Sequence, residues 1–575
     1  MTAHSLRFTT RRAAALAAVL VPALASAAGA QSAARDLPRT HAPRPTTAAI
    51  TPGDLMTRLY LLADDSMMGR EGGSVGNARA TAYIAAEFRR MGLQPAGENG
   101  TYFQTVPIVR TALDPAARVE VEGQTLTRDT DYVPVPAYGK TFPFGNVLQG
   151  RALPVVYGGR VGGEMLDPAQ AAGKLVVFAA PLVEGRPSGR FWAASDLSRY
   201  AAAVGIAIAS LEYTSGGLLG FIHEPQTAVR KDGPPPPRTA GGMIITAATA
   251  QRLFGSPLDS LRVGAAGKAV TADVRFVERP TAAPARNVVA ILRGSDPRLR
   301  NQYVAIGAHN DHIGTTQAVD HDSLRAYNAV LRTEGVNSDA TKPTPEQLTR
   351  IRAALDSMRR LRPVRMDSIA NGADDDGSGT VALLEIAQNL AARTVRPRRS
   401  VLFVSHTGEE LGLLGSEYFT DHPTVPRDSI VTQLNMDMVG RGRAEDVKGG
   451  GPHSIQMIGS RRLATELGDT IDAINARRAV KMDVDYSFDA AGHPYNRYCR
   501  SDHYMYARYG IPITYFSAGY HRDYHMVSDE PQYIDYDHLA LIAGFVRDVA
   551  LAVGNMSHRP VVDHPKPDPQ GGCRQ

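Results

Sequence analysis

The sequence predicts an α/β fold interrupted by a β-rich unit, on three observations. From Asn287 onward, apolar runs of strand length alternate with helix-period patterns, as a sheet covered by helices requires. Between residues 115 and 283 the pattern changes to short β-like runs parted by turns. Clusters of His, Asp and Glu follow the candidate strands of the first kind at their C-terminal ends, where open α/β sheets carry their sites. A chain of 575 residues exceeds one ordinary domain, and its 43% apolar content can fill more than one core.

Residues 1–30 have the three parts of an export signal: a basic start, an apolar run from Ala13 to Leu24, and the small residues Ala28-Gly29-Ala30. Cleavage is expected near Gln31. The run contains Pro22 and falls short of the roughly 20 residues a membrane span needs. Arg11-Arg12 matches a twin-arginine signal only loosely, so a general secretory signal is expected. The formal charge of +5 includes Arg7, Arg11 and Arg12 of this acid-free segment, which leaves +2 on the remainder. That balance argues against nucleic acid or an anionic membrane as a partner. No other stretch is long enough to cross a bilayer. The expected product is soluble, periplasmic or secreted, with no stable membrane insertion after signal cleavage. Cys499 and Cys573 are the only cysteines, too few for a disulfide scaffold or a cysteine-zinc protein, and their pairing is left open.

Residues 31–50, rich in Ala, Pro and Thr, read as a linker. The main α/β unit is expected at 51–114 and 284–556. Its first part, Leu55 to Gly92, has a helical pattern. A Gly-x-Ser-x-Gly match at Gly72 to Gly76 lacks the buried strand a nucleophilic Ser74 would need, and reads as a glycine-rich turn. The unit at 115–283 contains the strand-like runs Lys174–Phe178 and Val204–Ile208, a small helix around Tyr200 and the turn Pro234 to Pro237. It has no cluster with metal or nucleophile spacing. Further strands are expected at Val288–Leu292, Tyr303–Gly307, Val401–Val404, Val431–Leu434 and Ile513–Phe516. Helices are expected at Thr380–Ala392, Leu411–Phe419, Arg461–Ile474 and Tyr536–Val553. A polar insertion at 315–370 holds one well-signalled helix, capped by Thr344 with Pro345 next, and reads as a surface excursion without chemistry. The Pro-rich residues 557–575 read as a disordered tail.

The chemistry-bearing clusters are His309-Asn310-Asp311-His312, Asp374-Asp375-Asp376-Gly377-Ser378-Gly379, Glu409-Glu410, Asn435-Met436-Asp437 and Asp523-Tyr524-His525. Each alone has a bland explanation, such as a solvated turn, a core histidine or a strand-end cap. Glu409 and Glu410 would also suit the positive end of a helix dipole. An EF-hand register ending at Gly377 places Gly372 first and Leu383 twelfth, which excludes a calcium loop. The His-Glu-x-x-His pattern is absent around His406. The coincidence of five such clusters at strand ends is what solvation does not explain.

These motifs, His309-x-Asp311, Asp375 in Asp-Asp-Gly-Ser-Gly, Glu409-Glu410-x-Gly-x-Leu-Gly-Ser, Asn435-x-Asp437-Met438 and Asp523-Tyr524-His525, resemble those of the two-zinc aminopeptidases related to glutamate carboxypeptidase. The segment from Gly69-Arg70 to Gln104 also resembles their N-terminal part, and 115–283 resembles the protease-associated domain often inserted in them. The resemblance implies a three-layer α/β/α exopeptidase fold with a mixed central sheet. It implies that His309 and Asp437 hold one zinc, Glu410 and His525 the other, and that Asp375 bridges both. Mn2+ or Co2+ are possible substitutes. Asp311 would orient His309, and Glu409 would be the general base for hydrolysis of peptide substrates, most directly at their N-termini. A carboxypeptidase or dipeptidase of the same fold, or a binding protein with a dead site, are the alternatives. His312, His406, His503 and Tyr520 lie near these positions with no role fixed by sequence. The gap between His309 and Asp375 is longer than the family usually has, which leaves substrate size and oligomeric state open.

Overall fold

Strands buried on both faces need cover on both, and the alternation of side chains decides which layer each residue meets. The computed structural model describes residues 37–138, 142–190, 197–230, 239–338 and 342–575, so the expected export signal, the start of the expected linker and the expected Pro234–Pro237 turn lie outside the described residues. Nine strands form the main sheet: β1 (Gln94–Pro95), β2 (Phe103–Val106), β3 (Ala285–Leu292), β4 (Tyr303–His309), β5 (Ser400–His406), β6 (Ile430–Met436), β7 (Ser454–Ile458), β8 (Asp483–Asp485) and β9 (Ile513–Ser517). Their order is β1-β3-β5-β4-β6-β9-β7-β8, with β2 paired to β3. The sheet is mixed, since β5, β4, β6 and β9 run parallel while β3 pairs antiparallel with β5 and β7 antiparallel with β9.

Val288, Ala290, Val304, Ile306, Val401 and Phe403 point to one core, packed under the helices Pro52–Leu62, Val75–Arg90, Gly379–Ala391 and Tyr536–Asn555. The intervening Val289, Ala305, Leu402 and Val404 point to the other, beneath Leu414–Asp421 and His503–Ala507. This is the three-layer α/β/α arrangement with a mixed sheet that the resemblance implied. The expected strands and helices of this unit appear with ends shifted by a few residues. Ser74 does not sit on an elbow: its side chain caps the helix Val75–Arg90 by accepting from the Asn77 amide.

A second sheet, of ten strands among the described residues, runs from Ile108 to Pro280, with Val147–Arg160, Leu175–Ala179, Gly205–Ala209 and Gly241–Ile245 parallel through its middle. It has apolar clusters of its own on its two faces. The chain crosses between sheets at Pro107, not at the expected 114, because Ile108–Leu113 pairs with Ala266–Pro280 while Phe103–Val106 pairs with β3.

One expectation is corrected here and another is filled in. Residues 557–575 are not a loose tail. Cys573 is disulfide-bonded to Cys499, the Asp563 carboxylate accepts from the Thr465 amide, and the Gln575 side chain accepts from the Tyr498 amide. The insertion at 315–370 lies at the surface, its second helix without a buried residue. Among the described residues it forms a two-stranded antiparallel pair, Thr315–Asp320 with Met366–Ile369, which encloses the helices His321–Leu331 and Pro345–Leu361, the latter with a complete Thr344/Gln347 capping box. It docks through buried polar contacts: Asn328 donates to Asp523 at 2.9 Å, and Arg365 to Glu530 at 2.6 Å. No helix among the described residues is long and apolar enough to cross a membrane.

Candidate metal centre

The parallel register brings the chemistry to one edge of the sheet. β4 and β5 pair His309 with His406, and β4 and β6 pair Gly307 with Asn435. The ends of three neighbouring strands are therefore level. His309 closes β4, Glu409 and Glu410 come after β5, and Asp437 comes after β6. Asp375 enters from the turn leading into Gly379–Ala391, and His525 from the loop after β9. His525 and Met438, next to Asp437, hold left-handed φ of 58° and 57°, a conformation that non-glycine residues keep where surrounding contacts enforce it.

Two groups of candidate ligands result, and they share Asp375: His309, Asp375 and Asp437 form one, and His312, Asp375, Glu410 and His525 the other. His309 Nε2 lies 3.2 Å from Asp375 Oδ1 and 3.7 Å from Asp437 Oδ1. His525 Nε2 lies 3.2 Å from Asp375 Oδ2 and 2.9 Å from Glu410 Oε2. Glu409 belongs to neither group, and its Oε2 stands 4.0 Å from His309 Nε2. All five side chains that the resemblance named as ligands thus meet around two points, with Glu409 beside them.

The residues fit a pair of cations. His309 Nε2, Asp375 Oδ2, Glu410 Oε1 and His525 Nε2 are buried without a hydrogen-bond partner, a costly state unless something else holds them. Negative charge is also crowded. Burial raises the Glu409 carboxyl well above its ordinary range; His309 opposes this, and Glu410 and Asp437 push it further. Burial likewise raises Asp437 and Asp311. Asp375 goes the other way: burial would raise it, but the imidazoles of His309 and His525, each 3.2 Å away, hold it well below.

Carboxylates that no spacing argument singled out hold this arrangement together. Asp376 accepts from the amides of His309 (2.9 Å), Gly379 (2.9 Å) and Met438 (3.3 Å), which ties three ligand-bearing segments to one buried side chain. Asp529 accepts from the amides of Asp374 and Asp375 at 3.0–3.1 Å. Arg70, fully buried, donates to the carbonyls of Leu62, Asn310, Asn371 and Gly372. Asp311 Oδ1 accepts from the Glu409 amide at 3.2 Å and stands 3.7 Å from His309 Nδ1, whose nearest acceptor is the Asp311 backbone carbonyl at 3.1 Å.

The four residues left open by sequence divide. His312 belongs to the second ligand group. Tyr520 stacks on Tyr524 at 4.9 Å, and Tyr524 on His525 at 3.8 Å, so both border the site. His406 and His503 are core residues: His406 contacts Tyr506 and Asp502, and His503 stacks on Tyr515, where burial lowers its pKa to about 3.

Residues 287–550 match the family model described as Peptidase family M28. Among individual relatives, a probable leucine aminopeptidase of Arthroderma otae is 29% identical over 225 residues, 37% of this chain and 56% of that protein. A probable aminopeptidase of Saccharomyces cerevisiae is 34% identical over 131 residues, 22% of this chain and 33% of that protein. The chain thus spans at most about half the length of these relatives. Among solved structures, an aminopeptidase from Aneurinibacillus sp. strain AM-1 aligns over 90% of this chain and 97% of its own, at 15% identity and a TM-score of 0.45.

Proposed function

We propose, for a chain whose residues 287–550 belong to peptidase family M28, that it is a two-zinc aminopeptidase acting on peptides outside the cytoplasm. The observation that carries this reading is the sharing of Asp375 by two ligand groups, with the Glu409 carboxylate left over beside them. His309 and Asp437 would hold one zinc, Glu410 and His525 the other, and Asp375 both, with Mn2+ or Co2+ as substitutes. When bound, the pair makes a water acidic enough to supply hydroxide near neutral pH and polarises the scissile carbonyl.

The chain's own residues do the remaining work. Glu409 takes a proton from the attacking water and returns it to the leaving amine nitrogen, so one carboxylate serves both halves of the hydrolysis. Burial raises its proton affinity, which suits a group that must hold a proton between the two steps. Asp311 is a positioning residue, fixing the Glu409 backbone and flanking the His309 ring. Charge favours a free amine in the substrate. Asp311, Asp375, Glu409, Glu410 and Asp437 crowd carboxylates around the two cation positions, which suits an α-ammonium better than a terminal carboxylate. The export signal supports a periplasmic or secreted location, and the unit at 108–280 is read as a protease-associated domain.

Glu409→Gln tests this. It should keep two zinc ions per chain while kcat on an aminoacyl p-nitroanilide falls by about 10³-fold. Unchanged turnover would remove Glu409 from the mechanism, and turnover of only N-blocked peptides by the wild type would replace the aminopeptidase reading with the carboxypeptidase one. Zinc binding with no hydrolysis of any peptide would leave a binding protein.

A further inference from the structure

The two groups that share Asp375 are unequal, because one offers three side chains and the other four. The additional member is His312, three residues beyond His309 and fully buried. Its ring stands edge-on to that of His525, centroids 5.5 Å apart, with Asp375 and Glu410 within reach of both. On the two-cation reading above, we infer that His312 Nδ1 is a fourth protein ligand of the second ion and closes its coordination shell.

Ligand atoms 2.0–2.1 Å from a tetrahedral zinc stand about 3.3 Å from one another. In the second group His312 Nδ1 lies 2.7 Å from Glu410 Oε1 and 3.7 Å from Asp375 Oδ2, and His525 Nε2 lies 3.2 Å from Asp375 Oδ2 and 2.9 Å from Glu410 Oε2. These separations bracket the tetrahedral value. A hydrogen bond to Glu410 is the competing explanation of the 2.7 Å approach. The geometry does not make one: neither His312 Nδ1 nor Glu410 Oε1 has a hydrogen-bond partner, and His312 Nε2 has none either. Two buried polar atoms 2.7 Å apart with no hydrogen-bond partner are both satisfied by a shared cation.

The backbone is built to seat this ring. Gly372 has φ +54°, and a Cβ there would stand 2.4 Å from His312 Cγ, so the position admits only glycine while the imidazole occupies its place. Arg70 fixes both sides of that contact, since its guanidinium holds the Gly372 carbonyl at 2.8 Å and its own carbonyl accepts from the His312 amide at 3.3 Å.

The asymmetry gives the two ions different tasks. A shell of four side chains is closed, as in structural zinc sites, whereas three leave a position for water or substrate. Glu409 lies on the three-ligand side, 4.0 Å from His309 Nε2. The ion held by His312, Asp375, Glu410 and His525 is then the anchor, and the position beside His309, Asp437 and Glu409 is where water and substrate enter.

Zinc per chain after exhaustive dialysis, and the visible spectrum of the cobalt(II)-loaded protein, test the inference. Wild type should hold two ions. His312→Ala should release its second ion more readily than wild type, with the intense band of four-coordinate cobalt reduced, and His312→Asp, which restores an oxygen ligand, should regain that band. A His312→Ala protein with two ions and the wild-type cobalt spectrum would overturn the inference and leave the two-cation reading intact. A wild type with no ion would overturn that reading itself. Should His312→Ala fail to fold, zinc X-ray absorption on the wild type decides between three imidazoles over the two ions, as expected, and two, which would refute it.

Discussion

The α/β unit and the unit inserted in it each run buried parallel strands through their centres: Tyr303–His309, Ser400–His406 and Ile430–Met436 in one, Leu175–Ala179, Gly205–Ala209 and Gly241–Ile245 in the other. Their interiors are made of the same Val, Ile, Ala and Phe. The residues at the C-terminal ends of the strands differ. The first set runs on into His309, Glu409-Glu410 and Asp437; the second runs on into Ala180, Ser210 and Thr246. Parallel strands create an edge where loops converge, and only one of the two edges has been given groups that bind or transfer charge. Among the described residues, no candidate ligand group falls in the inserted unit.

The sharpest way to break this contrast is to disturb each edge separately. Arg70 satisfies four buried carbonyls around the ligand loops. Arg70→Met should cost about 4 kcal/mol in denaturant unfolding and lower zinc retention as well. In the inserted unit, Ile206→Ala should cost about 3 kcal/mol through the cavity it leaves, with zinc content and kcat unchanged. A change in zinc content there would show that the inserted unit takes part in the chemistry.

The polar insertion at 315–370 gives a finer comparison, because it carries no ligand and yet grips the site's support. Burial alone would raise the Glu530 carboxyl, but hydrogen bonds from His321 and Arg365 outweigh it and hold it at about 2. A carboxyl depressed in the folded chain contributes stability that is complete above about pH 4.5 and lost as pH falls toward 2. The stability difference between wild type and Glu530→Gln should therefore be on the order of 2 kcal/mol at pH 6 and shrink toward pH 3. A difference independent of pH would contradict the assignment. The smallest effect is expected from Asn328→Ala, about 1 kcal/mol, from loss of its hydrogen bond to Asp523.

The same contrast explains which parts of the molecule are legible in the sequence. Strands buried on both faces read as unbroken apolar runs, so β4, β5 and β6 stand out, and polar clusters directly after them mark the site edge. His312 lies in one of those clusters, but spacing at a strand end does not say which way a ring turns. Asp376 adjoins Asp375 in the chain, yet its amide contacts reach segments remote from both. Asn328 and Asp523 are 195 residues apart, so nothing local reveals that the insertion supports the site. The Pro-rich composition of 557–575 suggests a loose end, whereas the disulfide from Cys573 to Cys499 ties it down.

Asp375 is the side chain on which both proposed cation positions depend. Zinc per chain measured by mass spectrometry on folded wild type and Asp375→Ala tests that dependence most directly: two ions in the wild type and loss of both in the variant are expected, and an Asp375→Ala protein that still retains two would contradict a shared centre.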